Sequence, residues 1–456
     1  MHILALLLLC TCTSIYVCRN VHLMYNSFVN VHNLGLQGNK NLYMKINLCR
    51  YKNCKKKLQH VHVGQEIIIG TRDSPLAIKQ SEKVKRKLLA HFKKINKNVN
   101  VILKPIKTTG DKILDRNVGL FGGKGIFTKE LDDQLIKNNV HICVHSLKDV
   151  PMELPEQIHL SCFLIRDTIN DVFLSMKYRT LGDINKMKVD NSDNYGNDNT
   201  MEEHYKLAQE TQELHKADAY TGNYNFDQQD KLSRTIGTSS LRRRSQIKYT
   251  YKNITIKQIR GNINTRIAKV YNGDYDSIII AKCGLERLVT KKAIRNIISR
   301  KNRLLKKPII INYNNTNIDL SLFNIQQINT RTIFPALCQG IIAVSSHKNN
   351  KVISDILKNI NDDKSEIMAN IERSFLYQIE GNCMMPIGGY TKIVKKQIFF
   401  NAVINDIQGR EKYHVREIGH VHNYDDIAVK AAIKIKEKIG IEKFNKIREE
   451  AALYYA

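Results

Sequence analysis

The sequence lacks paired cysteines of the kind that hold metals or cross-link small domains. Its ten cysteines include no CxxC pair, and five of them lie within the first 54 residues. This spacing argues against a zinc site and against a disulfide framework, so we predict no bound metal. Three others, Cys143, Cys162 and Cys283, lie in apolar strand-like runs, where a buried thiol behaves as a small hydrophobic side chain.

Long hydrophobic runs are also missing. The apolar run at residues 3–9, ILALLLL, is too short for a confident membrane-spanning helix and is typical of the hydrophobic region of a secretory signal. We therefore predict no stable insertion of the protein into a membrane.

Residues 1–65 contain no acidic residue, and Glu66 is the first in the chain. The segment before it is basic and rich in asparagine, which is typical of a transit peptide. A signal followed by such a segment resembles the two-part leaders that direct proteins to secondary plastids, such as the apicoplast of parasites. We expect residues 1–64 to be this leader and the location to be a plastid. A secreted protein with a disordered N-terminus and a mitochondrial protein are the alternatives.

Basic residues greatly outnumber acidic ones, with 72 Lys and Arg against 43 Asp and Glu and a formal net charge of +29. Such a charge would suit a nucleic-acid-binding protein, whose affinity would fall steeply with salt. Much of the excess, however, lies in stretches rich in Lys and Asn, and elsewhere arginines stand singly or in pairs beside Ser, Thr and Gly. That pattern fits small anions better than a phosphate backbone, so we predict no nucleic-acid partner.

The 456 residues suffice for two or three domains. From Glu66 onward short apolar strands alternate with helical patterns, which predicts α/β domains with largely parallel sheets. The first helix should have Ser74 as its N-cap and Pro75 in its first turn. Two stretches rich in polar residues, 185–233 and 300–329, are interpreted as disordered insertions. The predicted strands are 67–69, 99–106, 140–144, 254–259, 277–281, 341–344, 396–403 and 411–419, and the predicted helices are 127–138, 364–377 and 425–439, with others beginning near 240, 262 and 285.

Four short motifs lie where predicted strands end and helices begin, which is where ligands bind in such sheets. They are GTRDSPLA at 70–77, VHSLKDVP at 144–151, GTSSLRR at 237–243 and RGNINTR at 260–266. A fifth motif, IEGNCMMPIGG at 379–389, places Cys383 among glycines, which allow unusual backbone angles, and a proline, which fixes one. A loop of this composition presents one thiol at a defined place.

These five motifs, in this order, resemble those of hydroxymethylbilane synthases, also called porphobilinogen deaminases, and the resemblance covers residues 65–456 apart from the two insertions. It implies a transferase of haem and porphyrin biosynthesis that joins four porphobilinogen molecules head to tail into hydroxymethylbilane, with loss of ammonia at each step. It also implies one dipyrromethane cofactor bonded to Cys383, from which the product grows. A thiolate is a strong nucleophile and suits this attachment.

The resemblance also assigns roles to polar residues of the motifs and their neighbours. Each pyrrole carries an acetate and a propionate, and arginine meets a carboxylate with two parallel hydrogen bonds. The implied catalytic residues are Asp149, Lys148 and Arg72. The implied cofactor-binding residues besides Cys383 are Ser74, Lys124, Lys148, Asp149, Ser239, Arg242, Arg243, Arg260, Gly261 and Arg266. The implied substrate-binding residues are Arg72, Ser146, Arg166, Arg260, Arg266 and Arg287.

Asp149 is the acidic residue to which the implied reaction assigns a specific role. Loss of ammonia from the substrate leaves a methylenepyrrolenine, whose positive charge is shared with the ring nitrogen. A carboxylate among cations stays ionised and can accept the pyrrole N–H, stabilise that charge and relay protons. Without the motifs, a helix cap or an ion pair with Lys148 would be the simpler interpretation. His145 is interpreted as structural, or as a residue that orients carboxylates of the cofactor.

The resemblance implies a monomer of three domains. Two α/β domains of the periplasmic-binding-protein type, residues 65–168 with 340–360 and residues 169–339, would flank a basic cleft. A small α+β domain, residues 361–456, would carry Cys383 into that cleft. Because the product lengthens, the links near residues 166–170 and 335–340 should flex.

Three positions depart from the family pattern. Leu120 stands where a lysine is usual, which puts one carboxylate contact in doubt, whereas Asn382 replaces a glycine and tolerates similar backbone angles. Cys338 replaces a glycine or alanine in FPALCQG and is either a packed thiol or a second reactive one. The alternative function is a non-catalytic receptor for small anions with the same fold, which would carry no covalent group.

Overall fold

A computed structural model gives the fold of the protein. It describes residues 66–112, 125, 127–186, 234–299, 308–381 and 384–455. The predicted leader, Lys124 and Cys383 therefore lie outside the described residues, and so do Leu120 and Asn382.

Strands and helices alternate through most of the described chain. The strands are β1 Glu66–Arg72, β2 Asn100–Ile106, β3 Ile142–Ser146, β4 Ile158–Phe163, β5 Asp171–Ser175, β6 Thr235–Gly237, β7 Thr255–Lys257, β8 Ser277–Ala281, β9 Ile310–Tyr313, β10 Thr316–Asp319, β11 Asn324–Gln327, β12 Ile342–His347, β13 Ile387–Val394, β14 Gln397–Asn405 and β15 Lys412–His420. The helices are α1 Pro75–Lys94, α2 Thr109–Lys112, α3 Lys129–Ile136, α4 Leu181–Lys186, α5 Leu241–Thr250, α6 Ile263–Tyr271, α7 Lys282–Leu288, α8 Lys291–Ser299, α9 Lys351–Lys358, α10 Asp363–Gln378, α11 Asp425–Ile439 and α12 Ile441–Tyr455.

Two five-stranded sheets share one strand arrangement. The first has the order β2-β1-β3-β12-β4, with β1 parallel to β2 and β3 and with β12 antiparallel to its neighbours. The second has the order β7-β6-β8-β5-β11, with β6 parallel to β7 and β8 and with β5 antiparallel to its neighbours. The fourth strand of each sheet follows a strand of the other sheet in the sequence: β12 of the first sheet follows β11, and β5 of the second sheet follows β4. The prediction of two α/β units is confirmed, and so is the return of residues 341–344 to the first sheet.

The chain crosses between the two sheets twice, from β4 to β5 and from β11 to β12. These crossing segments contain residues 166–170 and 335–340. Gly340 has a φ of +91°, and a Cβ atom there would lie 2.7 Å from the backbone oxygen of Asp167. The two segments therefore pass in direct contact, and only glycine fits at this point. Their flexing stays a prediction.

The C-terminal unit is a three-stranded antiparallel sheet, β13-β14-β15, packed against helices. Phe375 of α10 packs edge-to-face on Phe400 of β14, with 5.1 Å between the ring centroids. Both rings are fully buried in one core with Ile435 of α11 and Ile447 of α12. The predicted α+β unit is confirmed, although neither β13 nor α12 is among the predicted elements.

Local sequence sets where three helices of the motifs begin. The Oγ of Ser74 accepts a hydrogen bond from the backbone N–H of Ala77 at 3.3 Å, and Pro75 occupies the first turn of α1. Ser240 and Asn262 cap α5 and α6 in the same way. Each cap satisfies a backbone N–H that the helix itself leaves without an acceptor. The predicted starts of these helices are confirmed.

The prediction of a disordered insertion at residues 300–329 is wrong for its larger part, although residues 300–307 lie outside the described chain. Strands β9 and β10 form an antiparallel hairpin, and β11 is the edge strand beside β5. Asn314 and Asn315 have positive φ values of 44° and 66° in the turn of that hairpin. Ile318 and Phe323 are almost completely buried. The asparagines thus form a turn, while the apolar residues between the polar ones build a core.

Smaller differences concern a cysteine and two glycines. Cys283 is buried as predicted, but it lies in α7 rather than in a strand. Gly388 and Gly389 belong to β13, and a Cβ atom on either would lie 2.8 Å from the side chain of Phe334 or Leu337, respectively. These glycines allow close packing rather than unusual backbone angles. Most of the first predicted insertion, residues 187–233, lies outside the described residues.

Within the described ranges, no helix is both long and apolar enough to cross a lipid bilayer.

Candidate active site

The predicted catalytic residues follow β1 and β3, which are parallel neighbours whose ends meet at one edge of the first sheet. Arg72 is the last residue of β1, and Lys148 and Asp149 lie in the short 3-10 turn after β3. Lys148 is half-buried, whereas Asp149 is exposed. The guanidinium of Arg72 lies 4.2 Å from the centroid of the Phe127 ring. The structure therefore brings the first two motifs together, as predicted for strand ends.

Cations of the second α/β unit lie close to Asp149. Burial lowers the pKa of Lys148, while the charge of Asp149 raises it and that of Arg243 lowers it. Burial lowers the pKa of Arg266 to about 10, with a further decrease from Arg243 and an increase from Asp149. Such mutual effects require these charges to lie near one another. We call Lys148, Asp149, Arg243 and Arg266 the cleft cluster, because they come from both α/β units.

Asp171, the first residue of β5, binds two of the predicted arginines. Arg243 donates through Nε and Nη2 to the two carboxylate oxygens at 3.1 and 2.9 Å. Arg242 Nη2 lies 2.9 Å from Oδ2, and Gln339 Nε2 donates to Oδ1 at 3.0 Å. Burial raises the pKa of Asp171, but the two guanidinium groups outweigh this and hold it well below its ordinary value. Both arginines are therefore oriented by a carboxylate of the protein itself.

Two predicted substrate-binding arginines are ion-paired at the crossing segments. Arg166 donates to the two oxygens of Glu372 at 2.5 and 3.0 Å. Arg287 of α7 donates to Asp167 Oδ2 at 3.1 Å and to the backbone oxygen of Gly340 at 2.8 Å. In this conformation, contact of either guanidinium with a substrate carboxylate requires the exchange of its present partner.

Glu372 of α10 connects the three units. Its side chain is fully buried, and its carboxylate also accepts hydrogen bonds from the backbone N–H groups of Cys338 at 2.5 Å and Thr391 at 2.6 Å. It thereby joins both crossing segments to β13. Neither Glu372 nor Asp171 is among the predicted site residues. The feature of the sequence that could have identified them is an acidic residue on an apolar helix face, as for Glu372, or at the start of an apolar strand, as for Asp171. Such a charge needs partners when it is buried.

The predicted serine hydroxyls bind groups of the protein. Ser239 Oγ donates to the backbone oxygen of Ile259 at 2.6 Å and accepts from its N–H at 3.1 Å, which joins the start of α5 to the loop before α6. Ser146 Oγ accepts from Gln80 Nε2 at 2.8 Å. Ser74 caps α1. These hydroxyls fix the loops that carry the charged residues.

The RGNINTR motif turns sharply at Gly261, whose φ is +103°. A Cβ atom at this glycine would lie 2.5 Å from the side chain of Thr265, so only glycine fits. Arg266 Nε donates to the backbone oxygen of Gly261 at 2.9 Å, and Arg260 is half-buried beside it. The turn keeps both arginines at the start of α6.

Two residues whose roles the sequence leaves open have defined surroundings. His145 Nε2 lies 3.0 Å from Ser345 Oγ, and burial together with the charge of Arg72 lowers the pKa of His145 to about 4. His145 is therefore neutral near pH 7. Cys338 has a φ of +63° and is 1% exposed, and burial raises the pKa of its thiol well above its ordinary value. It is a packed thiol rather than a reactive one.

The site fits a tethered group that carries several carboxylates. The attachment loop, residues 379–386, begins after α10 and ends at β13, so both of its anchors are described although Cys383 itself is not. A dipyrromethane carries an acetate and a propionate on each ring. The cations of the cleft cluster, together with Arg260 and Arg72, match such a polyanion in sign, and arginine can meet a carboxylate with two parallel hydrogen bonds.

Comparison with known proteins identifies the family. The model described as "Porphobilinogen deaminase, dipyromethane cofactor binding domain" matches residues 67–192 and 198–355, and "Porphobilinogen deaminase, C-terminal domain" matches residues 366–440. The porphobilinogen deaminase of Nitratiruptor sp. is 31% identical over 368 residues, with 80% of this chain and 92% of the relative covered. The chain belongs to the porphobilinogen deaminase family.

A plant relative carries the same name. The chloroplastic porphobilinogen deaminase of Pisum sativum is 29% identical, with 79% of this chain and 78% of the relative covered. A solved periplasmic binding protein of Salmonella typhimurium with high arginine specificity aligns with 66% of this chain and 92% of its own, at 9% identity and a TM-score of 0.29.

Replacement of Asp171 should strongly destabilise the protein, because two buried guanidinium groups lose their shared carboxylate. We expect Asp171→Asn to lower the free energy of unfolding at pH 7 by about 3–5 kcal/mol, measured by denaturant titration. Asp274→Asn, at an exposed carboxylate of the same unit, should change it by less than about 0.5 kcal/mol. Equal effects of the two substitutions would contradict this role.

The pH dependence of the same variant follows from the sign of the shift. Because the folded-state pKa of Asp171 is depressed, its stabilisation is fully present above the unfolded-state pKa of about 4 and is lost as the pH falls toward the folded-state value. The stability gap between wild type and Asp171→Asn should therefore narrow below about pH 4. A gap that stays constant from pH 7 down into the acid range would be inconsistent with the pairing.

Proposed function

We propose that the protein is a hydroxymethylbilane synthase, which assembles a linear tetrapyrrole from four porphobilinogen molecules. In each condensation, the aminomethyl carbon of one porphobilinogen loses ammonia and bonds to the free α-carbon of the preceding pyrrole, which loses its proton. Hydrolysis with one water then releases hydroxymethylbilane. Family membership supports the activity, and the cleft cluster is the structural observation that supports its location.

Asp149 is proposed to stabilise the cation formed when ammonia leaves. It is exposed at the end of β3, so a substrate pyrrole can reach it. The charges of Lys148 and Arg266 both interact with that of Asp149, and Arg243 interacts with these two cations. An ionised carboxylate at this place can accept the pyrrole N–H and take up the proton that the coupled carbon loses. The carboxylic acid formed in this way can then give that proton to the departing amine of the next substrate, which restores the carboxylate.

The cations around Asp149 are proposed to bind the acetate and propionate groups. Arg260 lies in the loop before α6 and Arg266 in the first turns of α6, while Arg72 lies at the end of β1. A bound dipyrromethane would supply the pyrrole carbon to which the first substrate is joined. Lys148, Arg243 and Arg266 are proposed to hold its carboxylates.

Cys383 is proposed to hold this group covalently through a thioether. Support comes from the position of the attachment loop between α10 and β13, both of which Glu372 connects to the crossing segments. We further propose that the three units act as domains of a monomer with the boundaries given above, and that the crossing segments flex as the product lengthens. Sedimentation of the mature protein as a dimer would contradict the monomer.

Residues 1–64 are proposed to direct the protein to a plastid. The support is the apolar run followed by a basic segment without acidic residues, and one relative carries the description chloroplastic. Imaging of a fluorescent reporter fused to residues 1–64 tests this location. A reporter that is secreted or reaches mitochondria would contradict it.

Substitution of Asp149 separates catalysis from attachment of the cofactor. We expect Asp149→Asn to keep the added mass of two pyrrole units but to lose at least about 100-fold in turnover, because general acid–base and electrostatic catalysis are both removed. Porphobilinogen consumption and ammonia release measure turnover, and intact mass measures the attached group. Asp274→Asn, the exposed control, should keep both. Full activity of Asp149→Asn, or loss of its covalent mass, would refute the role.

A further inference from the structure

The last helix of the chain reaches the turn that precedes α5. The hydroxyl of Tyr455 donates a hydrogen bond to the backbone oxygen of Ser239 at 2.9 Å and accepts one from the backbone N–H of Leu241 at 3.3 Å. One side chain near the C-terminus thus satisfies two backbone groups of the GTSSLRR motif. The helix that carries it, α12, lies beyond residues 366–440, where the model of the family's C-terminal domain matches.

This turn is also the link to the second arginine loop. Ser239 Oγ is hydrogen-bonded to the backbone oxygen of Ile259 at 2.6 Å and to its backbone N–H at 3.1 Å. Arg260 is the next residue in the chain. Arg243 lies in the first turn of α5, which begins two residues after Ser239. A displacement of the Ser239 backbone would therefore move the start of α5 and the loop before α6 together.

Packing brings α12 to this place. Leu241 of α5 is fully buried in the core of the C-terminal unit, together with Phe444, Ile447 and Ala451 of α12. The neighbouring Tyr454 contacts the region through its ring, since the guanidinium of Arg244 lies 5.3 Å from the ring centroid. The apolar contacts position the helix, and the Tyr455 hydroxyl adds a directed bond to the turn.

We propose that Tyr455 is a positioning residue for the reaction. It fixes the carboxylate-binding turn before α5, and through Ser239 the loop before α6, against the C-terminal unit. The inference rests on the proposed function. Carboxylates of porphobilinogen far from the reacting carbon are bound equally in the ground state and the transition state. A loosened turn should therefore raise KM and leave kcat almost unchanged.

The test is the pair Tyr455→Phe and Tyr454→Phe in the mature protein. Tyr455→Phe removes only the hydroxyl, and we expect KM for porphobilinogen to rise about fivefold, as for the loss of one net hydrogen bond, with kcat within about twofold of wild type. Tyr454→Phe keeps its ring contact with Arg244 and should leave KM and kcat unchanged. Both variants should keep the wild-type melting temperature within about 2 °C and the covalent mass.

Three outcomes would overturn the inference: an unchanged KM in Tyr455→Phe, an equal rise in KM in both variants, or a fall in kcat that follows a lowered melting temperature. The last would show a purely structural tyrosine. Wild-type protein assayed beside the variants distinguishes failure of the proposed function from failure of this inference. If the wild type does not consume porphobilinogen, the proposed function is refuted, whereas the contact of Tyr455 is not.

Discussion

One buried carboxylate fixes the attachment loop relative to the links between the α/β units. Glu372 of α10 accepts hydrogen bonds from Arg166, Cys338 and Thr391, which belong to the first crossing segment, the second crossing segment and β13. Because α10 and β13 flank the attachment loop, both anchors of that loop share one ionic centre with both crossings. Such a centre is costly to break, since removal of one partner leaves an uncompensated charge in a medium of low polarity.

The next residue of α10 extends this connection to the segment that follows the proposed catalytic residue Asp149. Arg373 donates to the backbone oxygens of Val150, Pro151 and Met152 at 3.3, 2.8 and 3.0 Å, directly after Asp149. Two consecutive residues of one helix thus contact the links between the units and the segment that follows Asp149. The position of the attachment loop relative to the cleft cluster is therefore set through α10.

Local features of the fold could be predicted from the sequence, whereas the partners of its charges could not. Ser240 caps α5 through a hydrogen bond to a residue three positions away, and such a pattern is visible in one short motif. Arg166 has its partner, Glu372, 206 positions away, so the sequence shows an arginine beside a strand end but not what it binds. The prediction for the stretch near Asn314 is wrong for a similar reason, because the role of its asparagines in a hairpin turn depends on the pairing of the two strands on either side. Motif order predicts which strand ends form the site, and the structure shows that β1 and β3 are parallel neighbours.

The central claim is that the positive charge of the cleft cluster serves a pyrrole group tethered to Cys383. Intact mass of the purified mature protein, compared with that of Cys383→Ser, tests it most directly. The account predicts an added mass of two pyrrole units on the wild type, absent from Cys383→Ser, together with loss of tetrapyrrole synthesis in the variant. A wild-type protein without added mass, or a Cys383→Ser protein that makes tetrapyrrole at the wild-type rate, would contradict it.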